Sequence, residues 1–202
     1  MAFKYACFIS YCHGQYDLVK GFIDQLKTAL KAELETLMAE ELYIDEERLQ
    51  PGYHYNEALA RAICESVCMI VVYSPKYERQ EYCMREFEGM AQLEEKRGNL
   101  LGVAAGLERG FIIPVILRGD DDVPERIKKY THYANFSRFT LAMPDMIRNP
   151  AYVEEIQKIA RVIHQHYRAF LSAGADPCIL CSGFQLPPAS EVKPWRPQFV
   201  NR

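Results

Sequence analysis

Apolar residues in this chain fall alternately into short runs and helical spacings. "KYACFIS" (Lys4 to Ser10) is an apolar, aromatic run of strand length. The next stretch spaces Leu18, Phe22, Ile23, Leu26, Leu30 and Leu34 as one face of a helix. "ELYID" (Glu41 to Asp45) reads as a second strand, "EERLQPGYHYN" as a loop marked by Pro51-Gly52, and "EALARAICES" as a helix. "VCMIVVYS" (Val67 to Ser74) is rich in β-branched residues and is the clearest buried strand. A helix is predicted next, from Glu78 to Lys96, followed by a loose stretch, "NLLGVAAGLERG". "FIIPVIL" (Phe111 to Leu117) is a strand whose Pro114 suggests an edge or a bulge. "THYANFSRFT" is a possible fifth strand, and "AYVEEIQKIARVIHQHYRAFL" is a long last helix. Beyond Ser172 the chain is Pro-rich and has no periodicity. The expected organisation is therefore a domain over 1–172 and a tail or arm over 173–202.

Strands alternating with helices predict an α/β fold, a parallel sheet with helices on both faces. Such sheets bind ligands at the carboxyl ends of their strands. Three of those ends carry polar residues: Ser10-Tyr11-Cys12-His13, Asp45-Glu46-Glu47 and Tyr73-Ser74. The helix from Glu78 starts at the same end. Its apolar stripe comprises Tyr82, Cys83, Phe87, Met90, Ala91 and Leu93, and Glu86 projects inside that stripe between Tyr82 and Met90. A buried carboxylate without a partner is costly. Glu86 is therefore wet at the stripe's edge, paired with a buried cation, or facing a cleft that uses it. The polar strand ends nearby favour the cleft.

Composition narrows the classes. The chain has 202 residues, 49% hydrophobic and 25% charged, which suits one globular domain with a tail. A net charge of −3 gives no electrostatic case for nucleic acid. Of seven cysteines, the first five (Cys7, Cys12, Cys64, Cys68, Cys83) lie in apolar strands and helices, where free cysteine packs as a small hydrophobe. That predicts a reducing cytoplasm. The amino terminus lacks a basic region and a cleavage site, and no stretch approaches a membrane span, so a soluble cytoplasmic protein is expected. No metal is expected. Cys178 and Cys181 make half of a zinc pattern without a second pair, which favours a packed or dimer-stabilising arm. His164 and His166 point about 200° apart on a helix. Asp120-Asp121-Asp122 reads as a solvated loop.

"FISY" at the end of the first strand, "YIDEERLQPG" at the second and "SPKYERQEYCMREF" after the third together resemble the Toll/interleukin-1 receptor (TIR) domain. Order and spacing agree, and the resemblance covers roughly Lys4 to Leu171. It implies a flavodoxin-like fold with five parallel strands. It makes Asp45 to His54 the family's BB loop, with Glu46, Leu49, Pro51 and Gly52 serving self-assembly. "YCMREF" resembles the family's "WCxxEL" segment, whose glutamate is catalytic in the members that cleave NAD+; it falls on Glu86. Tyr82 stands where many members carry an aromatic that stacks near the nicotinamide. Ser10, Tyr11, Cys12, His13 and Asp45 would contact substrate, Cys12 being a departure where members often carry basic or polar residues.

The implied activity is cleavage of the nicotinamide–ribosyl bond of NAD+, as a glycohydrolase or an ADP-ribosyl cyclase, with NAD+ as substrate and no cofactor. Small bacterial anti-phage TIR proteins, which turn NAD+ into a signal nucleotide, are the sub-class suggested. The implied partners are further copies of the chain and a separate effector protein that responds to the product; neither nucleic acid nor membrane is expected. In such an assembly Trp195 and Phe199 would be interface anchors. Two other readings share the fold: a non-catalytic TIR scaffold, and an adaptor mimic that docks onto a host TIR domain.

Overall fold

The computed structural model describes residues 3–13, 17–38, 41–44, 55–101, 110–130, 133–139 and 145–196. The elements run β1 (Tyr5–Tyr11), α1 (Asp17–Leu34), β2 (Glu41–Ile44), α2 (Tyr55–Cys64), β3 (Ser66–Tyr73), α3 (Glu81–Leu101), β4 (Ile112–Ile116), a one-turn α4 (Glu125–Lys128), β5 (Ala134–Asn135) and α5 (Pro150–Ala173). The strands pair in parallel in the order β2-β1-β3-β4-β5. Four strands carry the sheet, and the fifth is a two-residue edge.

β3 is buried at all of its positions, which is why its sequence is a continuous apolar run and not an alternating one. Right-handed crossovers put α1 on one face of the sheet and α2 and α3 on the other. α5 returns to pack beside α1. Its ends are written locally. The Asn149 side chain accepts a hydrogen bond from the Ala151 N–H, Pro150 opens the helix, and Gly174 closes it at φ 60°.

Pro114 marks neither a sheet edge nor a bulge. β4 is an inner strand, between β3 and β5. The Leu117 N–H donates to Tyr73 O on the β3 side, so by alternation the Pro114 nitrogen faces β5. The β4–β5 pairing begins only at Val115, so no ladder bond is lost there. The helix expected from Glu78 begins at Glu81, because Tyr77–Arg79 forms a 3-10 turn first, and it continues to Leu101.

Arg97 of α3 is completely buried. Its guanidinium donates to Cys64 O (2.8 Å), Ser66 O (2.9 Å) and Val67 O (3.0 Å) and lies over the rings of Phe3 and Phe111. These carbonyls belong to the end of α2 and the start of β3, so Arg97 closes that junction. Burial pulls its pKa down to about 10, which leaves it charged at neutral pH.

The Pro-rich segment is a packed arm along α3. A disulfide joins Cys181 to Cys64, with Cα atoms 5.5 Å apart. Cys64 is therefore not the free thiol expected, and the case for a reducing compartment loses that support. Cys7, Cys12, Cys68, Cys83 and Cys178 are not in disulfides. Further along, Leu186 lies against Gly89, where a Cβ would come within 2.8 Å of its Cδ2, and Arg85 donates to Pro187 O (2.8 Å). Trp195 then packs edge-on to Phe87, with ring centroids 4.6 Å apart. Asp122 is not simply solvated, since it pairs with Arg196. Among the described residues no helix is long and apolar enough to cross a membrane.

Candidate active site

The order of the strands reverses between β1 and β3, so the carboxyl ends of these two strands flank the crevice where this architecture takes ligands. Ser10 and Tyr11 end β1. Tyr73 ends β3, and the 3-10 turn and the first turns of α3 follow it at the same end.

Glu86 is only 6% exposed, so it is neither a wet flank residue nor a surface charge. The Ser10 hydroxyl donates to its Oε2 at 2.5 Å. Ser10 Oγ also lies 2.7 Å from the Tyr77 hydroxyl; with the Ser10 proton directed at Glu86, Tyr77 is the donor of that pair, and Cys83 O at 3.0 Å shares the same phenolic proton. Three elements thus meet on one carboxylate: β1 brings Ser10, the 3-10 turn brings Tyr77, and α3 brings Glu86. A hydroxyl donor favours the ionised carboxylate and lowers the cost of burying it. Burial pushes the Tyr77 phenol far above its ordinary pKa, and Cys83 and Glu86 push it further, so Tyr77 acts only as a neutral hydrogen-bonding group.

The other expected site residues separate. Tyr11 is buried; its carbonyl accepts from Cys83 Sγ (3.4 Å), and its ring packs on His13 with centroids 4.5 Å apart. Cys12 is buried too, its thiol donates to His13 O (3.6 Å), and burial raises its pKa against the opposing pull of Lys76. It is thus a poor thiolate. His13 is exposed, and its carbonyl accepts from Lys76 Nζ (3.4 Å). Tyr82 does not belong to the buried stripe: it is 53% exposed, with the Arg85 guanidinium 5.9 Å from its ring centre. It occupies the first turn of α3, where Cys83 and Met84 are buried instead, so the buried side there is offset from Tyr82. Asp45 and the assembly-loop residues Glu46, Leu49, Pro51 and Gly52 lie outside the described residues, as do Phe199 and most of the loose stretch after α3.

Sequence reasoning missed Tyr77. A lone tyrosine between Pro75 and the helix carries no periodic signal; the cue was its place just after a buried strand's carboxyl end. Sequence reasoning also missed Arg97, whose charge made it look like a surface residue. Among the described residues no group of three or more His, Cys, Asp or Glu could hold a metal. A cavity of about 810 Å³ lies at the opposite, amino end of β4, lined by Glu94, Ile112, Tyr130, Lys158 and Val162. Glu86 does not line it.

A family model of the TIR domain matches residues 7–147. The chain belongs to the TIR-domain family. The TIR match spans β1 to the approach of α5 and leaves the arm outside. A solved structure, the TIR domains of the activated Roq1 resistosome directly recognising the pathogen effector XopQ, is similar at 22% identity and a TM-score of 0.39. The likeness covers 77% of this chain and 82% of that one. No curated protein sequence matches the chain.

Proposed function

We propose that this TIR domain cleaves the nicotinamide–ribosyl bond of NAD+, with Glu86 as the working carboxylate, in immune defence or cell-death signalling. The observation that carries the reading is a buried glutamate held by Ser10 at the strand-order switch, where a ligand would lie.

The chemistry requires little else. The bond breaks through an oxocarbenium-like centre, as in glycoside hydrolysis. Nicotinamide leaves as a neutral group because its ring nitrogen starts out positive, so no acid is needed to protonate it. One carboxylate then suffices to stabilise the charge that builds on the ribose, and a partly desolvated position strengthens that stabilisation. Ser10 orients Glu86, and Tyr77 orients Ser10. The exposed ring of Tyr82, one turn before Glu86, offers a face for the departing nicotinamide. The ADP-ribosyl centre then passes to water, giving ADP-ribose, or to an adenine nitrogen within the same molecule, giving a cyclic product. Self-assembly through the loop at 45–54, a cytoplasmic setting and an effector that answers to the product belong to the same proposal.

The test is NAD+ consumption with product identification by mass spectrometry, at high protein concentration with a crowding agent. Wild type should release nicotinamide, while folded Glu86→Ala and Glu86→Gln should lose at least about a hundredfold in rate, the scale of removing a group that stabilises transition-state charge. An inert wild type, or an active Glu86→Ala, refutes the assignment.

A further inference from the structure

We propose that the arm's last described residues, Trp195 and Arg196, are positioning residues for Glu86, acting through Tyr77 and Ser10. The proposal rests on the reading of Glu86 as the working carboxylate. It goes beyond that reading by placing part of the site's support outside the TIR domain itself.

The geometry is a relay. Trp195 stacks on Tyr77, with centroids 5.8 Å apart and ring planes 27° apart, and meets Phe87 edge-on. The next residue, Arg196, donates to both oxygens of Glu78 (2.8 and 3.1 Å), to Tyr73 Oη (3.3 Å), and to Asp122. Two consecutive arm residues thus grip two consecutive residues, Tyr77 and Glu78, of the 3-10 turn. That turn delivers the hydroxyl that touches Ser10, and Ser10 touches Glu86. A three-residue 3-10 turn has poorer hydrogen-bond geometry than an α-helix. Across this turn Tyr77 N–H donates to Ser74 O, Arg79 N–H to Lys76 O and Gln80 N–H to Tyr77 O. An aromatic clamp and a doubly paired guanidinium hold it from outside. The arm is anchored at its other end, where Cys181 is bonded to Cys64.

If the arm undocks, Tyr77 loses its backing and Ser10 loses the partner that aims it. Glu86 then loses a donor that favours its ionised form, and its pKa rises. The Tyr77 phenol is pushed up by burial and then by Cys83, Glu86 and Cys12, none of which belongs to the arm. A merely structural arm would lower the folded fraction and leave the titration of Glu86 in the folded molecules where it was.

The experiment follows the Glu86 side-chain carboxyl by carbon NMR on the full chain, its signal assigned by its loss in Glu86→Gln. Trp195→Ala should raise the titration midpoint by about one pH unit, and Trp195→Phe should return most of it. Arg196→Ala should move the midpoint the same way by less. It should also shift the fluorescence of Trp195, the chain's single tryptophan, to longer wavelength. A folded Trp195→Ala whose Glu86 midpoint matches wild type overturns the proposal. Should Trp195→Ala not fold, Arg196→Ala decides, and a fluorescence shift without a midpoint shift overturns it. NAD+ turnover is read separately: kcat should fall in Trp195→Ala with KM little changed. A wild type that cleaves no NAD+ refutes the proposed function, yet the midpoint still tests the relay.

Discussion

Glu86 and Arg97 lie eleven residues apart on α3, three helical turns, so they share one face of the helix. Both are buried charges. Arg97 is fixed by three backbone carbonyls and two aromatic faces, at the amino end of β3. Its partners cannot move without unravelling the α2–β3 junction. Glu86 accepts from a hydroxyl, at the carboxyl end of β1. Hydroxyls rotate, and that end of the sheet is where ligands bind. A buried charge tied to backbone is thus part of the scaffold; one tied to a rotatable group beside a cleft remains available for chemistry. The arm joins the two ends, being bonded to Cys64 beside Arg97 and stacked on Tyr77 beside Glu86.

The largest expected effect would break this comparison if it failed. Arg97→Ala should cost about 3–5 kcal/mol, since it leaves buried carbonyls without their donor. Glu86→Gln should cost less than about 1 kcal/mol, because an amide of the same shape still accepts from Ser10. Denaturant melts of both variants measure this, and equal losses would erase the distinction. Next in size, Cys181→Ser removes a cross-link between residues separated by 117 positions and should cost about 2–4 kcal/mol. Wild type under strong reductant should melt like that variant.

The smallest effect sharpens the scaffold end. Burial of Glu65 works to raise its pKa, but hydrogen bonds from Lys4 and Arg61 outweigh this and hold it below the usual carboxylate value. A carboxylate with a depressed folded pKa contributes stability above its unfolded pKa, and that contribution is lost as pH falls through the folded value. Glu65→Gln should therefore melt slightly lower than wild type at pH 7, with the gap closing in acid. Lys4 and Arg61 are largely in water, so screening keeps the gap small. A gap that widens in acid would reverse the sign of the pair.

Much of this was legible in the residues. The β-branched run before Ser74 and the helical spacings from Leu18 to Leu34 and from Ala151 to Leu171 are local signals, and each of these elements appeared within a few residues of its expected place. Glu86 was legible as an anomaly, a carboxylate inside an apolar stripe. Tyr82 was misplaced because helical spacing draws a broad stripe without fixing where its edge falls; Cys83 and Met84 beside it are the buried residues of that turn. The arm was misread because Pro-rich chain without periodicity packs by single anchors, here Leu186 and Trp195, which no repeating pattern announces.

The sequence by itself determined which segments are strands and helices, their α/β alternation and the end of the sheet where polar residues gather, because propensity, caps and apolar periodicity act between near neighbours. Only the tertiary structure decided that Ser10 meets Tyr77 and Glu86 across 67 and 76 residues, that Arg97 reaches carbonyls about thirty residues back, and that Cys64 pairs with Cys181 across 117. Those contacts depend on where the packed layers place distant side chains, and spacing along the chain carries no record of that placement.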